Sequence, residues 1–216
     1  MTEYFQKNLF YNISLEEYKH LLGCLDAREK HFTDEETICT YDEFHSIGIL
    51  GKGNALVVRY EINGARTILE RLEPQDIFGH LLSAYQKNPL NGISVVSDGP
   101  CDVLFINYDG ISRPCAKACT YHHQLIQNML SLISEKAVDL SERVEVLSQR
   151  TIREKLTCYF LQLAGRVKSE TFNLPFTMVD LADYLSIDRS AMTRELKRMK
   201  DEGIIEVNRR QIRLNL

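Results

Sequence analysis

The sequence predicts an α+β chain: an antiparallel β-roll in front, one long helix, and a small helical domain with a terminal β-hairpin. Three observations carry that expectation. β-type runs punctuated by glycine fill the first half, and a glycine-free helical stretch follows near Ser112. The charge also reverses along the chain. From Ser148 onward there are 13 Lys+Arg against 9 Asp+Glu, whereas the first 147 residues carry a net charge of -8. An acidic front and a basic back suggest two domains with different partners. The 216 residues are 44% hydrophobic and 26% charged, the balance of an ordinary globular chain rather than a disordered one. The opening MTEYFQKNLFYNIS lacks a basic segment followed by an apolar one, and no run approaches 18 apolar residues. The expectation is a cytoplasmic protein with no membrane partner. Cys24, Cys39, Cys101, Cys115, Cys119 and Cys158 are scattered, so most read as small buried residues rather than as a disulfide framework.

In the front, ALVVRYEINGARTILERL holds two β-rich runs joined by Asn63-Gly64, a dipeptide suited to a two-residue type I′ hairpin. Gly48, Gly51, Gly53, Gly79, Gly92 and Gly99 break the region at short intervals, and ISVVS and DVLFINY read as two further strands. Short strands with frequent turn signals favour a roll or barrel.

The stretch beginning SRPCAKACTYHHQL has one proline, Pro114, placed where a first helical turn tolerates it. Ile126, Leu130, Ile133, Ala137, Leu140, Val144 and Leu147 are spaced alternately four and three apart. That seam, three heptads long, favours a parallel helix pair in a homodimer. Leu125, Met129 and Leu132 widen the apolar stripe at one end, as packing on the helix's own domain requires.

Beyond Ser148, TIREKLTCYFLQLAGRV is an amphipathic helix and SETFNLPF a loop or short hairpin. Thr177 and Asp180 form a variant capping box opening the helix MVDLADYLS. After the turn SID, Asp188 caps a second helix through Asp201, with Gly203 placed to stop it. GIIEVNRRQIRLNL ends the chain as two strands around a turn. Helix, tight turn, helix and hairpin make a winged helix-turn-helix.

On the second of these helices Met192, Leu196 and Met199 share the face expected to be buried. Arg189, Ser190, Thr193, Arg194 and Lys197 then face outward. Arginine can grip guanine O6 and N7 with two donors, and small hydroxyl residues let a helix sit deep in a major groove. Arg209 and Arg210 on the wing, with Arg213 nearby, suit phosphate contacts, as do Arg198 and Lys200.

With these elements in place, the chain resembles the Crp/Fnr family of bacterial transcription regulators over nearly its whole length. RTIREKLTCYFLQLA resembles that family's first DNA-domain helix, and DLADYLSIDRSAMTRELKRMKDEGII its helix-turn-helix. LEPQDIFGHLL resembles the strand and turn entering a cyclic-nucleotide-type pocket. The resemblance implies a cyclic-nucleotide-binding-like β-roll effector domain over 1–111, a dimerisation helix over 112–147 and a winged helix-turn-helix over 148–216. It also implies base reading by Arg189, Ser190, Thr193 and Arg194, and double-stranded DNA with a two-fold symmetric site, a second copy of the chain and RNA polymerase as partners. Ser190 departs from the Glu often found at its position, which removes a carboxylate able to accept from cytosine N4.

The same resemblance places an effector pocket at Phe78, Gly79, His80, Leu81, Asn91 and Gly92, with Leu140 and Ser141 from the helix. Members that bind cyclic AMP have Glu after the turn glycine and an Arg-Ser pair downstream. Here His80 and Asn91-Gly92 stand near those positions, so cyclic AMP held in the usual way is not expected, and the effector and any cofactor stay unassigned. Cys24 and Cys39 lie too far apart for an iron–sulfur ligand cluster. Cys115, Cys119 and His123 fall one turn apart on a helix, with His122 beside them. They can be buried structural residues, ligands to a metal or haem, or a redox-responsive thiol pair. No nucleophile, base and orienting acid combine in a catalytic motif, so the reading is not an enzyme. An alternative of another class is a ligand-binding or protein-interaction module without DNA binding.

Overall fold

The computed structural model describes residues 8–41, 46–61, 64–79, 92–112 and 120–215. These divide into two compact units, Met1–Glu135 and Lys136–Leu216.

The first unit opens with a 3-10 turn at Asn8–Phe10 and helix α1 (Leu15–Cys24). Ser14 and Glu17 close a full capping box at the start of α1, each satisfying a backbone N–H of the other. Six strands follow: β1 (Arg28–Phe32), β2 (Thr37–Thr40), β3 (Ser46–Tyr60), β4 (Arg66–Leu72), β5 (Ile77–Gly79) and β6 (Ile93–Asn107). All pair antiparallel, in the order β1-β6-β3-β4, with β2 also on β6 and β5 on β3. Helix α2 (Tyr108–Ser112) ends the roll, and α3 runs over Thr120–Ser148.

Three expectations need correction. The runs ISVVS and DVLFINY are one 15-residue strand, β6. Gly99, at φ 87°, sits inside it without ending its pairing. Likewise β3 starts at Ser46 and runs through Gly48, Gly51 and Gly53. Register shifts between Leu50 and Asn54 take up Gly51 and Gly53 as bulges, while Gly48 stays in regular pairing with Phe105 and Phe78, so the glycines bend or thin a long strand rather than separate short ones. The hairpin loop also differs. Gly64 N–H donates to Glu61 C=O (2.9 Å) and Glu61 N–H to Ala65 C=O (2.8 Å). With Gly64 at φ 81°, these are the bonds of a three-residue loop closed by a glycine bulge, in place of the two-residue Asn63-Gly64 turn. Asn63 itself lies outside the described residues.

Two apolar cores hold this unit. The roll interior packs Phe32, Tyr41, Leu50, Val57, Leu72, Phe78, Ile93, Val95 and Val103. Cys39 and Cys101 lie in the same core, and burial pushes their thiols up to about 12 and about 11. Gly48 faces Phe78 across the β3–β5 pair, and a Cβ on Gly48 would lie 2.2 Å from the Phe78 ring. The second core joins Leu9, Phe10, Tyr18 and Leu21 to Ile47, Leu104 and Ile106, and takes Leu125, Met129 and Leu132 from α3. Buried Asn128 donates to Leu9 C=O (2.9 Å) and Tyr11 C=O (2.7 Å), so the N-terminal turn is tied to α3 with its backbone acceptors satisfied.

The second unit contains α4 (Ile152–Val167), β7 (Thr171–Asn173), α5 (Met178–Leu185), α6 (Arg189–Asp201), β8 (Ile205–Asn208) and β9 (Gln211–Leu214). Its strands pair antiparallel in the order β7-β9-β8. Leu156, Phe160, Leu181, Leu185, Met192 and Ile212 are fully buried, and Phe176 stacks on Tyr184 at 4.6 Å. The C-terminal part of α3 belongs to this unit. Arg143 lies 4.5 Å over the Tyr184 ring, and Arg166 of α4 pairs with Asp139 (2.7 Å) and Glu142.

Candidate nucleic-acid interface and effector site

The exposed face of α6 is set by its start. Ser186 ends α5 at φ 53°, and Asp188 accepts the Ala191 N–H (2.8 Å) as N-cap. Thr177 caps α5 by accepting the Asp180 N–H (3.2 Å), while its hydroxyl donates to the Asp180 carboxylate (2.6 Å). Met192, Leu196 and Met199 are buried beneath α6, as the spacing predicts. Arg189, Ser190, Thr193, Arg194 and Lys197 are exposed.

Their polar contacts are ordered. Ser190 donates its hydroxyl to Asp188 (2.6 Å), and its oxygen accepts from Arg194 Nη1 (3.1 Å). That chain of contacts draws the Arg194 guanidinium toward the helix N-terminus. The Ser190 hydroxyl, then the Ala191 N–H, hold the Asp188 carboxyl below its ordinary range. Thr193 donates its hydroxyl to Arg189 C=O (2.9 Å), which leaves its oxygen as an outward acceptor.

Sequence reasoning missed the brace at the other side of α6. Arg153, in the first turn of α4, donates Nε to Glu195 (2.6 Å) and both terminal nitrogens to Glu202 (2.7 and 2.8 Å). Glu202 and Glu195 raise the already high Arg153 pKa, and Arg153 lowers that of Glu202. The seven-residue spacing of Glu195 in α6 and Glu202 at its C-cap was a usable signal. Their partner, more than forty residues away, was not.

On the wing, Arg209 occupies the turn at φ 54°. Arg210 is partly committed to structure, since its guanidinium donates to Leu174 C=O (3.3 Å) and Pro175 C=O (3.1 Å). Arg213 lies 4.0 Å from Glu206 on the neighbouring strand. Arg198 contacts Glu195 at 3.4 Å, while Lys200 and the wing strands line a cleft of about 480 Å³.

In the roll, Phe78 fills the core rather than an open wall, and Gly79 is buried beside it at φ 98°. Gly92 is exposed at φ 80°. His80, Leu81 and Asn91 lie outside the described residues. Leu140 and Ser141 are exposed residues of the second unit, the latter donating to Ala137 C=O (2.9 Å). Along α3 the seam residues Ile126, Leu130, Ile133, Ala137, Leu140 and Val144 are exposed, with Leu130 at 60% and Val144 at 66%; Leu147 is half-buried.

Cys115 and Cys119 also lie outside the described residues. His123 is exposed, whereas His122 is buried and donates Nε2–H to Gly110 C=O (2.8 Å). Its buried Nδ1 has no hydrogen-bond partner among the described residues. Among those residues no group of three or more His, Cys, Asp or Glu side chains could hold a metal. No described helix is long and apolar enough to cross a membrane.

Two family models match. Residues 29–117 fit the cyclic nucleotide-binding domain and 154–215 the Crp-like helix-turn-helix domain. The chain is 31% identical over 107 residues to a probable transcriptional regulator, flp, of Lacticaseibacillus casei, covering 46% of this chain and 49% of that one. It is 26% identical over 117 residues to the electron transport regulator A of Shewanella oneidensis, covering 52% and 44%. The matched regions thus span about half the length of these relatives. Among solved structures, a CooA mutant from Carboxydothermus hydrogenoformans superposes with a TM-score of 0.75 at 18% identity, covering 100% of this chain and 94% of that one.

Proposed function

The chain belongs to the Crp/Fnr family of transcription regulators, and on that premise we propose that it is a homodimeric, sequence-specific DNA-binding regulator controlled by a small effector in the roll. The observation carrying the DNA reading is the outward row of Arg189, Ser190, Thr193, Arg194 and Lys197 on a helix whose opposite face is buried. Two such helices enter successive major grooves of a two-fold symmetric site, and Arg209 and Lys200 contact phosphates at the groove edges. Exposed Leu130, Leu140 and Val144 support a helix pair with a second copy, because a solvent-facing heptad seam has apolar surface to bury. Effector binding shifts the balance between DNA-competent and incompetent arrangements of that dimer, and RNA polymerase is the partner it recruits or blocks. The cellular setting of this role is the cytoplasm, and the roles of Arg189, Ser190, Thr193 and Arg194 are base reading.

The test is binding to mixed-sequence DNA across a salt series, followed by selection of a specific site. Affinity is expected to fall steeply as salt rises. Arg194→Ala is expected to weaken the selected site by about 1–3 kcal/mol and mixed DNA far less. Absence of low-salt binding overturns the DNA reading. Equal losses on both DNAs reduce Arg194 to a phosphate contact.

His122 supports a second reading, a metal-, haem- or redox-responsive regulator. Its Nε2–H is fixed on a backbone carbonyl and its Nδ1 lacks a hydrogen-bond partner among the described residues, an arrangement common in metal-bound imidazoles. Metal analysis and a visible spectrum of protein purified without air test it. A colourless, metal-free protein that still binds its operator and answers an organic effector overturns it.

A further inference from the structure

We propose that the roll recognises its ligand through Arg59, which grips a single oxyanion, a carboxylate or phosphate, on an otherwise apolar small molecule, with the Tyr41 hydroxyl as a second donor. This rests on the effector reading above and names the chemistry of that effector.

The placement follows from strand register. Arg59 of β3 is opposite Ile93 of β6 on one side and Thr67 of β4 on the other. Tyr41, just past β2, donates its N–H to Ile93 C=O (3.0 Å). Tyr41, Ile93, Arg59 and Thr67 therefore form one row across four neighbouring strands. Directly paired residues share a face of a sheet. Ile93 and Tyr41 belong to the roll core, so Arg59 rises from the same inward face. Neighbouring strands lie about 4.8 Å apart, which puts the Tyr41 and Arg59 backbones roughly 10 Å from each other. Two long side chains on one concave face can close that span onto a single ligand head.

Among the described residues both polar groups lack the partners their burial calls for. Among the described residues Arg59 Nε is buried with no hydrogen-bond partner, and Arg59 makes no ion pair. Tyr41 is 4% exposed, and its buried hydroxyl lies toward the Gly79 backbone without closing a hydrogen bond among the described residues. Burial and the charge of Glu70 push the phenol well above its ordinary pKa, so it stays a neutral donor. A guanidinium edge and a hydroxyl removed from water cost stability unless something accepts from them. Val57, Leu72, Ile93 and Val95 belong to the same core, so the surroundings of the pair are apolar. Arg59 as a whole is only partly buried, so the row opens at the rim of the roll. Glu70, opposite Val57, brings a carboxylate toward the same interior.

Calorimetric titration of the full chain with octanoate, octyl phosphate and 1-octanol tests the proposal, because the three share a body and differ in the head. Octanoate or octyl phosphate is expected to bind saturably, and octanol at least about tenfold more weakly. Arg59→Met is expected to weaken the preferred anion by about tenfold, Arg59→Lys by less, and Tyr41→Phe by a few-fold. The stronger of the two anions identifies the head as carboxylate or phosphate. Arg59→Lys and Tyr41→Phe carry the test if Arg59→Met does not fold by circular dichroism. No binding of either anion, equal binding of octanol, or unchanged affinity in the folded Arg59 and Tyr41 variants overturns the site. DNA binding of the same preparations separates the two readings. A chain that binds the anion through Arg59 but no DNA overturns the regulator reading alone. One that binds DNA but shows no Arg59-dependent anion binding overturns this inference alone.

Discussion

Ser190 sits between two groups of opposite charge, and that position gives it a task beyond lining a groove. Its hydroxyl is committed to Asp188 and its oxygen to Arg194. Arg194 is thereby held near the helix start, and less rotamer freedom remains to be lost when it meets a base. Ser190→Ala is expected to leave α6 capped, since Asp188 still accepts the Ala191 N–H. It is expected to weaken a selected DNA site by about 0.5–1.5 kcal/mol, with a smaller effect on mixed DNA, measured by competition at fixed salt. The motif around DRSAMTRE made the outward residues legible in advance. The relay through Ser190 was not legible, because a serine two residues after an N-cap signals a local hydrogen bond without saying what lies on its far side.

At the scale of elements, glycine was the least informative letter. Periodic gaps around Gly48, Gly51, Gly53 and Gly99 suggested strand ends, yet β3 and β6 run on through them. The reason at Gly48 is steric rather than conformational: the Phe78 ring occupies the space of a side chain. Gly48→Ala is therefore expected to destabilise the roll by about 1–3 kcal/mol, with partial recovery in Gly48→Ala/Phe78→Leu, read from denaturant unfolding. Helix α3 was more legible, because heptad spacing distinguishes two of its faces. Leu125, Met129 and Leu132 are buried in their own unit, and the Leu130–Val144 seam is left exposed. Leu130→Glu with Val144→Glu is expected to shift sedimentation from dimer to monomer and to abolish two-fold site binding, while single-unit stability stays nearly unchanged.

For the molecule as a whole, the charge reverses at Ser148 in the sequence, whereas the chain divides into compact units between Glu135 and Lys136, inside α3, because the C-terminal part of that helix packs with the second unit. What the roll detects was far less legible. Its inward residues come from four strands at distant positions, and an arginine in a β-run reads from sequence as an outward one. The thiols of the roll lead to a different use of the same architecture. Cys39 and Cys101 are buried and resist ionising, whereas Cys24 is exposed. A thiolate is the species that alkylates, so the first two are clocks that run only while the roll is open. Pulsed iodoacetamide labelling with peptide mapping is expected to modify Cys24 promptly and Cys39 and Cys101 slowly. A molecule seated in the roll is expected to slow the buried pair further while leaving Cys24 unchanged. The chain thus contains its own internal reporter for screening effectors, with a reference residue and two sensing residues supplied by the native sequence.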